Sequence, residues 1–78
     1  MSNQRPPILR LGSKGSEVER LQSDLSRLGY NIGAAGVNGI FDEDTQQAVI
    51  AFQKDHNITV DGVVGPQTGQ KLGANLMA

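Results

Sequence analysis

The chain has 78 residues, no cysteine and a formal net charge of −1. The missing cysteine excludes disulfides, thiolate metal sites and cysteine nucleophiles, and seven scattered Lys and Arg residues do not make the basic patch that a nucleic-acid partner requires. A chain of this length forms one domain that buries roughly 60% of its unfolded surface, and its apolar runs are too short to span a bilayer.

Residues 1–7 are polar and end in Pro6-Pro7, which predicts an extended, flexible lead-in. They lack the apolar core of a signal peptide. The chain is therefore expected to be a piece of something longer, or to reach its site without that signal. Residues 8–78 form the domain. Ile8-Leu9-Arg10-Leu11 is a short apolar anchor, and Gly12-Ser13-Lys14-Gly15 reads as a turn. Ser16 followed by Glu19 predicts a capping box at the start of the first helix. Val18, Leu21, Leu25 and Leu28 recur at spacings of three and four and give that helix one apolar stripe. Gly29 then stands where a left-handed terminating residue belongs.

Tyr30 to Gly39 is an uncharged loop holding Gly33, Gly36 and Gly39, and its Asn38-Gly39 pair is a turn dipeptide. The second helix is expected to start at Asp42 as a capping residue, with Glu43 and Asp44 favoured by the helix dipole. Ala48, Val49 and Phe52 form its buried face, and Asn57 is a candidate left-handed terminator. Ile58 and Val60 should dock on the core before a second turn at Asp61-Gly62. Gly65-Pro66 opens a third helix whose apolar face is Leu72 and Leu76. Gly69 and Gly73 weaken that helix by about 1 kcal/mol each. Val37-Asn38-Gly39-Ile40-Phe41 with Thr45 recurs, 23 residues on, as Val60-Asp61-Gly62-Val63-Val64 with Thr68. The fold class is all-α, a small three-helix bundle with two duplicated turn-plus-helix units.

The residues offer little chemistry. His56 is alone, so no metal set can form around it, and its place near a helix end is explained by the dipole. Asp42, Glu43 and Asp44 cluster where capping accounts for them, and they lack the remaining ligands and central Gly of a calcium loop. There is no Gly-x-Ser-x-Gly elbow, P-loop or paired-His motif. No catalytic group, metal or cofactor is expected, and the function encoded here is binding.

The run from Leu9-Arg10 through Gly12-Ser13, Gly15, Val18, Leu21-Gln22, Leu25 and Leu28-Gly29-Tyr30 resembles the peptidoglycan-binding domains of bacterial and phage cell-wall enzymes. Asn38-Gly39-Ile40-Phe41, Thr45, Ala48-Val49 and Phe52-Gln53 continue the likeness, and Asp61-Gly62-Val63-Val64-Gly65 with Thr68 closes it. The resemblance covers about residues 8–76. It implies a three-helix module that docks a cell-wall hydrolase onto peptidoglycan at the cell envelope or outside the cell, with hydrolysis done by a separate domain absent from this chain. A monomer is expected. Asn38 and Asp42 replace the usual Asp and Gly of the first turn. Gly69 stands where an aromatic residue, usually Trp, is common, which motivates an alternative: a structural or protein-docking domain that has lost wall binding. The pro-segments of matrix metalloproteases resemble this fold too, but they act through a cysteine that this chain lacks.

Peptidoglycan offers amides, hydroxyls and carboxylates, for which turn N–H groups, an Asn amide and a Tyr ring are suitable partners. The candidate ligand-binding residues are Tyr30, Asn38, Gly39, Phe41, Asp61, Gly62 and Thr68, around the two turns and the loop after the first helix. Gln22 and Gln53 recur where packing does not demand glutamine. Their expected task is to bond loop backbone and fix the turns.

Overall fold

The structure, a computed structural model, describes the backbone of residues 8–77 and the side chains of residues 8–74. Among these, the chain forms α1 (Ser16–Arg27), α2 (Glu43–Asp55) and α3 (Pro66–Met77) and no strands. The lead-in of residues 1–7 and the side chain of Leu76 lie outside the described residues. α1 packs against both α2 and α3.

One helix boundary differs from expectation. The N-cap of α1 is Gly15, and no side chain caps its first turn. The Gly15 carbonyl accepts from the N–H groups of Val18 and Glu19, both at 3.1 Å, while the Gly15 N–H donates to the Gly39 carbonyl at 2.9 Å. The Ser16–Glu19 capping box does not form because Ser16 is already helical and the Glu19 side chain lies along Gly39. A φ of 120° at Gly15, a conformation that a side chain would strain, makes this alternative start possible.

The other boundaries follow their residues. Gly29 (φ 95°) and Asn57 (φ 54°) are left-handed. After α1, the N–H groups of Gly29 and Tyr30 return to the carbonyls of Ser26 and Leu25, and after α2 those of Asn57 and Ile58 return to Lys54 and Gln53. Both ends are Schellman motifs, which satisfy otherwise orphaned carbonyls. The Asp42 carboxylate caps α2 by accepting from the Thr45 N–H at 3.0 Å, and that bond holds its carboxyl below the usual carboxylate range. Pro66 opens α3, where its missing N–H costs nothing.

Val18, Leu21 and Leu25 of α1, Ala48, Val49 and Phe52 of α2 and Leu72 of α3 form the core, completed by Ile32, Phe41 and Val64 from the connections. Ile58 packs against this cluster, but Val60, expected to dock beside it, is 46% exposed. Gln53 takes the backbone on the inner side of that turn and leaves Val60 outside, as Val37 is at the matching place.

The segment before α1 straps both turns to the bundle. Leu9 and Val64 exchange two backbone hydrogen bonds, at 3.0 and 2.8 Å. Gly12 donates to the Phe41 carbonyl and Phe41 donates to Ser13, both at 2.9 Å. Phe41 and Val64 hold equivalent places in the repeat, so each unit's exit is sewn to the same short segment. No helix among the described residues is long and apolar enough to cross a membrane.

Candidate functional site

Two buried glutamines organise the connections. Gln22 on α1 and Gln53 on α2 are 1% and 0% exposed, and each points its carboxamide into a turn. The Gln22 Oε1 accepts from the N–H groups of Asn38 and Gly39, at 3.0 and 2.9 Å. Its Nε2 donates to Asn38 Oδ1, the Ile40 carbonyl and Thr45 Oγ1. Gln53 repeats the pattern: Oε1 accepts from Asp61 and Gly62, and Nε2 donates to Asp61 Oδ1, the Val63 carbonyl and Thr68 Oγ1, all at 3.0 Å. The expected task of these glutamines, bonding loop backbone, is what they perform. Among the described residues, no buried side-chain nitrogen or oxygen lacks a partner.

The two clamps match in detail. Asn38 Oδ1 and Asp61 Oδ1 also accept from the N–H two residues on, Ile40 and Val63. Gly39 (φ 77°) and Gly62 (φ 72°) are both left-handed and both pressed onto a helix. A Cβ on Gly39 would lie 3.1 Å from Glu19 Cγ, and one on Gly62 would lie 3.1 Å from Gln46 Cγ.

This architecture redistributes the predicted site residues. Asn38 and Asp61 are exposed residues whose side-chain oxygens are committed to the clamps. Gly39 and Gly62 are buried. Thr68, 3% exposed, sits beneath Gln53, and Phe41, expected at the rim of the turn, is 1% exposed and belongs to the core. Phe41 turns inward because its backbone is held by Gly12 and Ser13. Each turn packs over its own helix, the first on α1 and the second on α2.

Tyr30 stands apart. Its ring meets Phe52 edge-on, with centroids 5.7 Å apart, and its hydroxyl donates to Asp55 Oδ2 at 2.7 Å. Burial first, and then the Asp55 carboxylate, push its pKa up to about 12. Tyr30 also lines a cleft of about 290 Å³ between the loop after α1 and the outer face of α2. Asn31 and Gly33 form the loop wall, Asp44 and Gln47 the helix wall, and Ala48 and Ala51 the apolar floor. Asn31 Oδ1 accepts from the Gly33 N–H at 2.9 Å, which folds the loop over. Gly33 is left-handed at φ 94°, and any side chain there would run into Asp44.

The cleft exists because the units differ in length. Sixteen positions separate Gln22 from Asn38, against eight between Gln53 and Asp61. Tyr30 matches Ile58 at the helix ends, but the extra chain after it, which contains Asn31 and Gly33, has no counterpart in the second unit. Asp44, Gln47 and Ala51 are not singled out by sequence because dipole effects and helix surface already explain them. Aligning Gln22 with Gln53 is the signal that exposes the insertion.

His56 ends α2 with its ring 4.2 Å from that of Phe52 and its Nδ1 2.9 Å from the Phe52 carbonyl. The carbonyl can only accept, so that nitrogen carries the hydrogen. Among the described residues, no group of three or more His, Cys, Asp or Glu side chains could hold a metal ion.

Residues 14–72 match the family described as "Putative peptidoglycan binding domain". The chain is 42% identical over 67 residues to N-acetylmuramoyl-L-alanine amidase CwlL of Bacillus licheniformis, covering 86% of this chain and 19% of that protein. It thus spans about a fifth of the length of the first curated relatives it matches. Among solved structures it is similar to the SleB N-terminal domain, with TM-score 0.84 and 33% identity over 90% of this chain and 93% of that one. It is also similar to the L,D-transpeptidase of Xylanimonas cellulosilytica, with TM-score 0.81 and 46% identity over 94% and 35% of the two chains. Three helices joined by two clamped glycine turns, a family match across most of the chain and these likenesses agree: the chain belongs to the peptidoglycan-binding domain family.

Proposed function

We propose that this domain binds peptidoglycan without altering it, through the cleft between α2 and the loop after α1, and so holds an attached catalytic domain against the wall at the cell envelope. The observation that carries the reading is the cleft itself. It is where the two repeated units diverge, and the side chains of Gln47 and Asp44 stand over an apolar floor outside both clamps. No Lys or Arg lines it, so its chemistry suits amides, acetamido groups and hydroxyls better than phosphates or free carboxylates. Tyr30 supplies a ring edge and hydroxyl lone pairs for the same purpose. The range of relatives supports a docking role, since an amidase and a transpeptidase do different chemistry beside a domain of this kind.

The test is sedimentation with purified sacculi. The folded chain is expected in the pellet. Ala51→Arg, which fills the cleft from an exposed position, is expected to leave it in the supernatant with helicity unchanged. A folded wild-type chain that stays in the supernatant overturns the reading in favour of a protein-docking domain. An Ala51→Arg variant that still pellets moves the site away from the cleft.

A further inference from the structure

We propose that Asn38 is a site of spontaneous deamidation guarded by Gln22, and that the reaction converts turn 1 (Asn38-Gly39) into the Asp-Gly chemistry that turn 2 (Asp61-Gly62) already carries. Of the five asparagines in the chain, at positions 3, 31, 38, 57 and 75, Asn38 is the one followed by glycine. Asn31 and Asn57 are followed by isoleucine, whose branched side chain crowds the neighbouring nitrogen.

The chemistry needs water alone. The Gly39 backbone nitrogen, after losing its proton, attacks Asn38 Cγ, and the C–N bond to Nδ2 breaks to release ammonia. The resulting succinimide is opened by water at either carbonyl. One opening gives aspartate with the ordinary backbone. The other gives isoaspartate, in which the chain runs through the Cβ carbon. Nothing is oxidised or reduced.

The folded turn blocks the first step. Gly39 is buried, and its N–H donates to Gln22 Oε1 at 2.9 Å, so the attacking nitrogen is turned onto a carboxamide and shielded from base. Asn38 Oδ1 is meanwhile held by Gln22 Nε2 and by the Ile40 N–H, both at 3.1 Å. The reaction therefore waits for the clamp to open. Turn 2 displays the geometry of the aspartate product. Asp61 Oδ1 makes the same two bonds, to Gln53 Nε2 and the Val63 N–H, at 3.0 Å, so an aspartate at position 38 fits the clamp. Isoaspartate does not, because an added backbone carbon prevents residues 38 and 39 from presenting adjacent N–H groups to Gln22 Oε1. Losing that clamp also frees Gln22 from Thr45, in the first turn of α2 beside Asp44.

The experiment incubates the full chain at mildly alkaline pH, folded and in urea, and locates the mass gain by peptide mapping. Deamidation is expected at Asn38 ahead of Asn31 and Asn57. It should be roughly 100-fold slower in the folded chain, as for a segment that reacts through local opening, and Gln22→Ala should bring the folded rate toward the unfolded one. Equal rates in folded and unfolded wild type, or earlier loss of Asn31 or Asn57, overturn the proposal. If Gln22→Ala does not fold, Asn38→Asp serves instead. It is expected to unfold within error of wild type in urea, and a markedly earlier transition overturns the equivalence of the turns.

Discussion

Turn 1 and turn 2 are held by the same set of bonds, yet one is reached by a long connection and the other by a short one. Gln22 spans 16 positions to its turn and Gln53 spans eight, but the corresponding hydrogen bonds of the two carboxamides agree to about 0.1 Å. The clamp therefore does not depend on the path of the chain between helix and turn. That independence leaves the first connection free to lengthen, and the length builds a cleft. Conserving the scaffold's geometry and varying one linker is a low-cost way to add a surface, because lengthening a loop adds only slowly to its closure entropy.

The comparison can be broken most strongly at the glutamines. Gln53→Leu leaves the N–H groups of Asp61 and Gly62 without their internal acceptor, and an unsatisfied buried donor is costly, so a loss of about 3 kcal/mol is expected. Gln22→Leu should cost the same within about 1 kcal/mol if the two clamps are energetically as well as geometrically equivalent. Urea denaturation measures both, and a large inequality would show that the longer connection has weakened turn 1.

A smaller effect separates backbone conformation from close approach. Gly39→Ala and Gly62→Ala combine a left-handed φ with a tight contact on the helix beneath, for an expected loss of about 1–2 kcal/mol each. Gly12→Ala has a φ of 97° with nothing within 4 Å of the new carbon, so it reports the backbone part alone. A Gly12→Ala loss as large as the other two would mean that contact with the helix contributes nothing.

The smallest effect tests the wall of the cleft rather than the clamps. Tyr30→Phe removes the bond to Asp55 and should cost roughly 1 kcal/mol. The folded pKa of Tyr30 lies above its ordinary value of 10.0, at about 12. Its contribution is therefore complete below pH 10 and lost as pH rises toward 12, because the unfolded chain gives up the proton first. Tyr30→Phe should flatten the stability profile in that window, and an unchanged alkaline limb would place the phenol elsewhere.

Most of the fold is legible in the sequence because its signals are local. Asp42 capping α2, Pro66 opening α3, and Gly29 and Asn57 ending their helices are each dictated by one residue's conformational preference. The capping box at Ser16 and Glu19 misleads because the competing partner, Gly39, lies far along the chain and draws Gly15 into the capping place. The clamps are half legible. A glutamine without a packing reason points to a backbone role, and the echo of Asn38-Gly39 in Asp61-Gly62 points to duplication. The two facts do not join by themselves, since the eight-position difference between connections hides that each turn belongs with the glutamine before it. The cleft is not legible, because Asp44, Gln47 and Ala51 are ordinary helix-surface residues until a folded loop stands opposite them.

α2 occupies an unusual mechanical position. It receives the first clamp at Thr45, in its opening turn, and delivers the second from Gln53, near its close. The two turns are thus joined through one rigid rod, and the segment from Leu9 to Ser13 joins them a second time. A change at one turn therefore bears on the helix that anchors the other.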